Sequence, residues 1–200
     1  RDIIQDRNGM IWIGTDGGGL NCFDPETERF THFKHDENIP NSLCHNAVGT
    51  LLEDRNGNIW IGTHGNGLNL YEPKNSLFTH FPYEANQPGG LSSPFIYDIV
   101  EDRDGILWLA TENGLNRFTP GNGRVNRIGS DHIRCLFLDS SGFIWMGTDN
   151  SGFCRYDTQN GTMESFIPTP GNDNCVAHKT VQVIFEDKSG QIWIGTRGGG

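Results

Sequence analysis

One ten-residue segment, DRNGMIWIGT (6–15), returns four more times along the chain. The copies are DRNGNIWIGT (54–63), DRDGILWLAT (102–111), DSSGFIWMGT (139–148) and DKSGQIWIGT (187–196). Every tryptophan of the 200 residues, Trp12, Trp60, Trp108, Trp145 and Trp193, stands at the same place in this motif, at intervals of 48, 48, 37 and 48 residues. A period in the forties is too long for a single hairpin and suits a unit of four short strands.

The second unit shows how such a repeat is built. AVGTLLED (47–54) reads as a first strand and RNGN (55–58) as a turn; IWIGT (59–63) is the second strand, followed by a turn through HGNG (64–67). LNLYEP (68–73) is the third strand and LFTHF (77–81) the fourth, with KNS between them. Four short antiparallel strands joined by polar, Gly-containing turns form a meander, the blade of a β-propeller. Neighbouring residues in a strand point to opposite faces, so IWI is apolar on both. The fourth-strand pairs Phe30/Phe33, Phe78/Phe81, Val125/Ile128 and Met163/Phe166 are three residues apart and also face opposite sides. Each sheet must therefore be covered on both faces, as stacked blades would cover it. Gly62 shares the face of Trp60 and leaves room for a neighbouring sheet. The expected fold is all-β: a propeller of four-stranded antiparallel blades at about 1–34, 46–81, 95–128 and 133–167, with part of a fifth at 180–200.

Composition supports this reading and narrows the partners. Twenty-seven glycines favour many tight turns over long helices. A formal net charge of -10 opposes both nucleic-acid phosphates and an anionic membrane surface. Five cysteines, Cys22, Cys44, Cys135, Cys154 and Cys175, include no C-x-x-C pair; one bridge is open to them, without a preferred pairing. No apolar run reaches membrane-spanning length, and no signal-peptide pattern is expected within these residues, which says little about targeting. The chain opens inside a strand pattern and stops in a Gly-rich turn, so both ends are expected to be cuts in a longer protein.

The pattern D-x-x-G-x-I-W-I-G-T, then G-G-L-N-x-F-D-P, F-x-x-F and a loop with S-L resembles the two-component regulator propeller repeat. It stands here as GTDGGGLNCFDPETERFTHF (14–33) and PNSLCHNAVGTLLED (40–54), and the resemblance covers essentially the whole chain. It implies a fragment of a seven-bladed propeller in the periplasmic sensor region of a hybrid two-component sensor kinase, an inner-membrane protein. It further implies that the region recognises a carbohydrate breakdown product and relays the signal to a cytoplasmic histidine kinase. The remaining blades of the same protein are then expected partners, and a homodimer of the full-length sensor is compatible with it. The repeat also departs from the pattern. The loop before Ile133 is short and lacks S-L, ENGLNRF (112–118) has lost a turn residue, GFCRYDT (152–158) replaces Gly-Leu-Asn, and PGNDNCVAHKT (170–180) lacks S-L.

Repetition separates scaffold from site: a residue present in every blade serves the blade. Asp6, Asp54, Asp102, Asp139 and Asp187, each with Gly three residues on, faintly resemble half of a calcium loop, but no bidentate Glu follows at fixed spacing. They read as hairpin turns in which Asp accepts backbone amides and Gly takes positive φ. TDGGG (15–19), THGNG (63–67) and TRGGG (196–200) lie between strands, unlike a phosphate cradle, which opens a helix. His32 and His35 stand as H-x-x-H, a spacing that sends them to opposite faces of a strand; His32 recurs as His80 in the same T-H-F context. No nucleophile or metal motif appears and no carboxylate pair stands out. No catalytic residue, metal ligand or cofactor is assigned.

Strand alternation puts the second-to-third turn and the blade-to-blade loop on one face, where the variable loops 34–46, 82–95 and 167–179 emerge. The non-repeating polar and aromatic residues near that face are His45, His64, Tyr97, Glu112, His132, Arg134, Asp149, Lys179 and Arg197. Tyr97, Arg134 and Arg197 are the foremost ligand-binding candidates, because sugars are held by planar hydrogen-bonding groups and aromatic faces; His45, His64, His132 and Lys179 complete the set. Two other readings stay open. A propeller lyase with a metal near its channel would need a His and acid cluster at the inner strand ends, where His132 and His178 lie. A scaffold would bind another protein through the same loops.

Overall fold

The computed structural model describes residues 1–169, 171–172 and 174–199. Pro170 and Asp173, in the loop expected at 167–179, and Gly200, in the final Gly turn, lie outside the described residues. Eighteen strands and no helix are found among those described. The first sheet is β1 (Asp2–Gln5), β2 (Ile11–Gly14), β3 (Leu20–Asp24) and β4 (Arg29–Phe33). The second is β5 (Val48–Glu53), β6 (Ile59–Thr63), β7 (Leu68–Glu72) and β8 (Leu77–Phe81). The third is β9 (Ile96–Glu101), β10 (Leu107–Thr111), β11 (Gly114–Thr119) and β12 (Arg124–Ile128). The fourth is β13 (Ile133–Leu138), β14 (Phe143–Thr148), β15 (Phe153–Asp157) and β16 (Met163–Phe166); the fifth pairs β17 (Val181–Glu186) with β18 (Ile192–Thr196). Each sheet is an antiparallel meander in chain order. The first strands touch in sequence, β1 to β5 to β9 to β13 to β17, so they form the shared inner side and the fourth strands lie outside. This is propeller-blade architecture.

The core lies between the sheets. Each motif tryptophan in the first three blades reaches forward onto a third-strand aromatic of the next: Trp12 on Tyr71 at 5.5 Å, Trp60 on Phe118 at 5.6 Å and Trp108 on Tyr156 at 5.5 Å. These three indoles are 3%, 2% and 1% exposed, whereas Trp193, which no sheet follows, is 49% exposed beside Val183 and Phe185. Such burial removes most of a large apolar surface from water. The glycine after the tryptophan admits the neighbouring sheet: a Cβ on Gly62 would stand 2.8 Å from Ile96 Cγ2, and one on Gly147 would stand 2.7 Å from Val181 Cγ1. On the fourth strands, Phe78 and Val125 are buried under the preceding blade, while Phe30, with no sheet before it, is exposed.

Turn chemistry is the same in all five copies. Asp54 Oδ1 accepts the amides of Asn56 and Asn58, Gly57 takes φ 84°, and Asp54 Oδ2 accepts the Trp60 indole N–H at 3.0 Å. The other loop ends are equally determined. Leu43 and Leu91 of the S-L elements are buried, and the Asn of G-L-N holds the loop: Asn69 Oδ1 accepts the Cys44 amide at 2.9 Å and Asn116 Oδ1 the Ser92 amide at 2.8 Å. At the opposite end an arginine fastens successive blades. Arg7 Nε donates to Glu53 at 2.5 Å and Arg55 Nε to Glu101 at 2.7 Å. All five cysteines are free thiols. The H-x-x-H pair is not on one strand: β4 ends at Phe33, and His35 sits beyond it with Nδ1 2.8 Å from the Leu43 carbonyl. The opposite-face argument therefore does not apply to it.

Candidate functional site: a polar row along the inner strand ends

Two columns of the repeat vary along the chain. The first opens the inner strand and holds Arg1, Gly49, Tyr97, Arg134 and Gln182; the second follows the Thr of IWIGT and holds Asp16, His64, Glu112, Asp149 and Arg197. Antiparallel pairing of the first and second strands brings the two columns together at one end of each blade. Arg1 Nη2 donates to Asp16 Oδ2 at 2.6 Å, the His64 ring lies over Gly49, and Arg134 Nε donates to Asp149 Oδ1 at 2.6 Å.

Contacts also run from blade to blade. Arg1 Nη1 donates to His64 Nδ1 at 2.7 Å. The His64 ring is 5.0 Å from Tyr97, and Tyr97 is 4.7 Å from His132 with 32° between the ring planes. His132 Nδ1 stands 3.9 Å from Asp149 Oδ2, beyond hydrogen-bond distance, and its buried Nε2 has no hydrogen-bond partner among the described residues. The result is a continuous row, Asp16–Arg1–His64–Tyr97–His132–Asp149–Arg134, crossing four blades.

Proton affinities follow from these neighbours. Arg134 is the main cause holding the Asp149 carboxyl below the usual carboxylate range, with His132 and Arg197 adding to it. Asp149 in turn raises Arg134. Burial, then the charge of Arg1, depresses the His64 imidazole and favours its neutral form. Burial raises the Tyr97 phenol, and the Glu112 charge adds to this.

The structure thus brings five expected residues, His64, Tyr97, His132, Arg134 and Asp149, into one row, and the Arg197 charge reaches it through Asp149. His45 lies beside the row rather than in it: its ring packs against Gly65, next to His64, and its Nδ1 accepts the Ala47 amide at 3.1 Å, the task Ser93 performs for Phe95 and His178 for Thr180. Lys179 contributes its carbonyl to the Gly152 amide at 2.8 Å, and its side chain is exposed. Arg1 and Asp16 were not among the expected residues; aligning the copies column by column shows that they stand where Arg134 and Asp149 stand three blades on, in columns that vary along the chain. Among the described residues, no three His, Cys, Asp or Glu side chains form a metal-binding group. A hollow of about 640 Å³ lies elsewhere, walled by Phe153, Phe166, Val176 and Ile194. It belongs to the apolar seam between the fourth and fifth sheets rather than to the polar row.

The model of the two-component regulator propeller matches residues 1–17, 42–65, 90–113, 127–150 and 176–198, one segment per blade and more than half of the chain. The chain belongs to the two-component regulator propeller family. No curated protein matches it in sequence. Among solved structures, this regulator propeller is similar to the extracellular domain of a hybrid two-component system of B. thetaiotaomicron. The TM-score is 0.81 at 25% identity, over 98% of this chain and 26% of that one. A second such extracellular domain from the same organism gives 0.60 at 22% identity, over 99% of this chain and 32% of that one. Virginiamycin B lyase of Staphylococcus aureus gives 0.72 at 18% identity, over 96% and 61%, a likeness of fold. The chain spans about a quarter of the length of the first of these domains.

Proposed function

We propose that this regulator propeller is a non-catalytic ligand-sensing segment of a hybrid two-component sensor kinase, located in the periplasm. It recognises a carbohydrate breakdown product, and the whole protein relays that event across the membrane to a histidine kinase. The observation that carries this reading is the row itself. A scaffold that recurs from blade to blade presents, at one end, two columns whose residues vary along the chain, and they hold guanidinium, carboxylate, imidazole and phenol groups. Rigid scaffolds with variable ends are where proteins place recognition. Tyr97 Oη, Glu112 and Arg197 make no side-chain hydrogen bond among the described residues, so they are free to meet sugar hydroxyls. Further blades of the same protein would cover Trp193 as Tyr71 covers Trp12, and the full-length sensor would act as a homodimer.

A lyase is the competing reading, since His132, Asp149, Tyr97 and Arg134 gather at an inner strand end. His178 does not support it, because its Nδ1 accepts the Thr180 amide at 3.0 Å as a turn cap. Titration calorimetry of the intact protein against a panel of plant and host oligosaccharides tests the sensor reading, with product analysis on the same samples. Saturable binding without turnover is expected. Cleavage of a bound glycan would overturn the non-catalytic assignment, and silence across the panel would overturn the saccharide.

A further inference from the structure

We propose that the end of the row formed by the fourth and fifth blades is an anion subsite, so that the sensed saccharide is an acidic one. This rests on the saccharide-sensing reading above and narrows it. Charge is distributed unevenly along the row. At the first blade Arg1 turns one Nη to Asp16 and the other to His64. At the fourth and fifth blades the positive charges of Arg134 and Arg197 both act on a single carboxylate, Asp149, with His132 beside it.

Arg134 uses Nε on Asp149, and its two Nη groups have no hydrogen-bond partner among the described residues. Arg197 is exposed, and its backbone is anchored by its amide on the Thr180 carbonyl at 3.0 Å. Thr180 Oγ1 donates to the Asp149 carbonyl at 2.7 Å, tying the loop that carries Lys179 to the same place. Two permanent cations, Arg134 and Arg197, thus act on one acid in a chain whose net charge is -10. A local cationic site in an acidic protein concentrates an anion there and not elsewhere on the surface. The guanidinium fork matches the paired oxygens of a carboxylate or sulfate group. Toward the third blade the row changes to Tyr97 and the exposed carboxylate of Glu112, which suit sugar hydroxyls. The ligand would lie with its acid group over Arg134 and Arg197 and its neutral hydroxyls toward Tyr97.

The test is titration calorimetry of the intact protein with oligogalacturonates, with sulfated galactose oligomers and with neutral galactose oligomers, each at low and high NaCl. Binding of one acidic series and not the neutral one is expected, weakening as salt rises; the two acidic arms tell carboxylate from sulfate. Arg197→Gln should weaken that binding by about ten- to a hundredfold and flatten its salt dependence. Lys179→Gln, on a separate loop, should weaken it less, and unchanged circular dichroism in both variants would confirm folding. Equal affinity for acidic and neutral series, or an Arg197→Gln variant as tight as the parent, overturns the anion subsite and leaves saccharide sensing standing. No binding in any arm overturns both.

Discussion

The Trp60 indole N–H donates to Asp54 Oδ2 at 3.0 Å, joining the turn before the second strand to the side chain that fills the gap between two blades. The same bond is present at Trp12, Trp108, Trp145 and Trp193, between 2.7 and 2.9 Å. It explains why Asp and Trp stand six residues apart in every copy. The carboxylate uses one oxygen for the turn amides and the other to satisfy an indole N–H that would otherwise be buried without a partner.

Removing either partner should be costly. Trp60→Ala deletes the largest side chain of the seam and should lower stability by roughly 3–5 kcal/mol. Asp54→Ala keeps the indole but strands its N–H and two amides, for roughly 3 kcal/mol. Denaturant midpoints measure both, and an unchanged midpoint in Trp60→Ala would contradict its buried position.

Gly62→Ala tests the approach of neighbouring blades. The added methyl would meet Thr50 Cγ2 at 2.6 Å and Ile96 Cγ2 at 2.8 Å, both on stiff β-branched side chains. Overpacking of this kind should cost about 1–3 kcal/mol. Thermal unfolding of the variant against the parent provides the measurement.

Asp98 gives a pH dependence with a definite sign. It lies at the seam of the third and fourth blades, where Oδ2 accepts the Leu136 amide at 2.7 Å, and burial pushes its carboxyl up to about 6. An unfolded aspartate titrates near 3.9. Between roughly pH 4 and 6 the folded chain therefore holds a proton that the unfolded chain has lost, and stability from this group falls as pH rises through that window. The effect is on the order of 3 kcal/mol. Asp98→Asn should remove it: the stability of the variant relative to the parent should rise from pH 4 to 6 and then level off. A difference that stays constant with pH would show that Asp98 does not titrate there.

The arginine ties on the opposite face should matter little one at a time. Arg55 Nε donates to Glu101 at 2.7 Å; the arginine is half-exposed while the Glu101 side chain is only 13% exposed, and a pair whose cation stays in solvent contributes about 1 kcal/mol. Glu101→Gln should shift the denaturation midpoint only slightly, and raised salt should shrink even that difference. The same tie is altered at the next seam, where Leu138 stands in the place of Glu101 and Arg103 donates only to the Ser140 carbonyl among the described residues.

Much of the architecture could be read before any coordinates, because the forces that set it act over a few residues. Asp54, Gly57 and Trp60 determine their own hairpin, and the two-faced apolar pattern of Ile59–Thr63 requires a sheet on each side. The row was legible only in part. His64, Tyr97, His132 and Arg134 stood out because they break the repeat, yet His45 breaks it too and caps a turn. Composition at a single position cannot tell these apart, since Ser93 caps the equivalent turn with a different side chain.

By itself, then, the sequence determined the blade, its period, the buried tryptophans and the end at which variable residues collect. Only the tertiary structure decided which of those residues meet. Arg1 reaches His64 across 63 positions, and Tyr97 lies between two histidines from neighbouring blades. Those contacts depend on how successive twisted sheets rotate about their inner strands. That rotation is set by the fit of whole inter-blade cores, such as Trp60 against Phe118 and Ile96 over Gly62, and by no local segment of the chain.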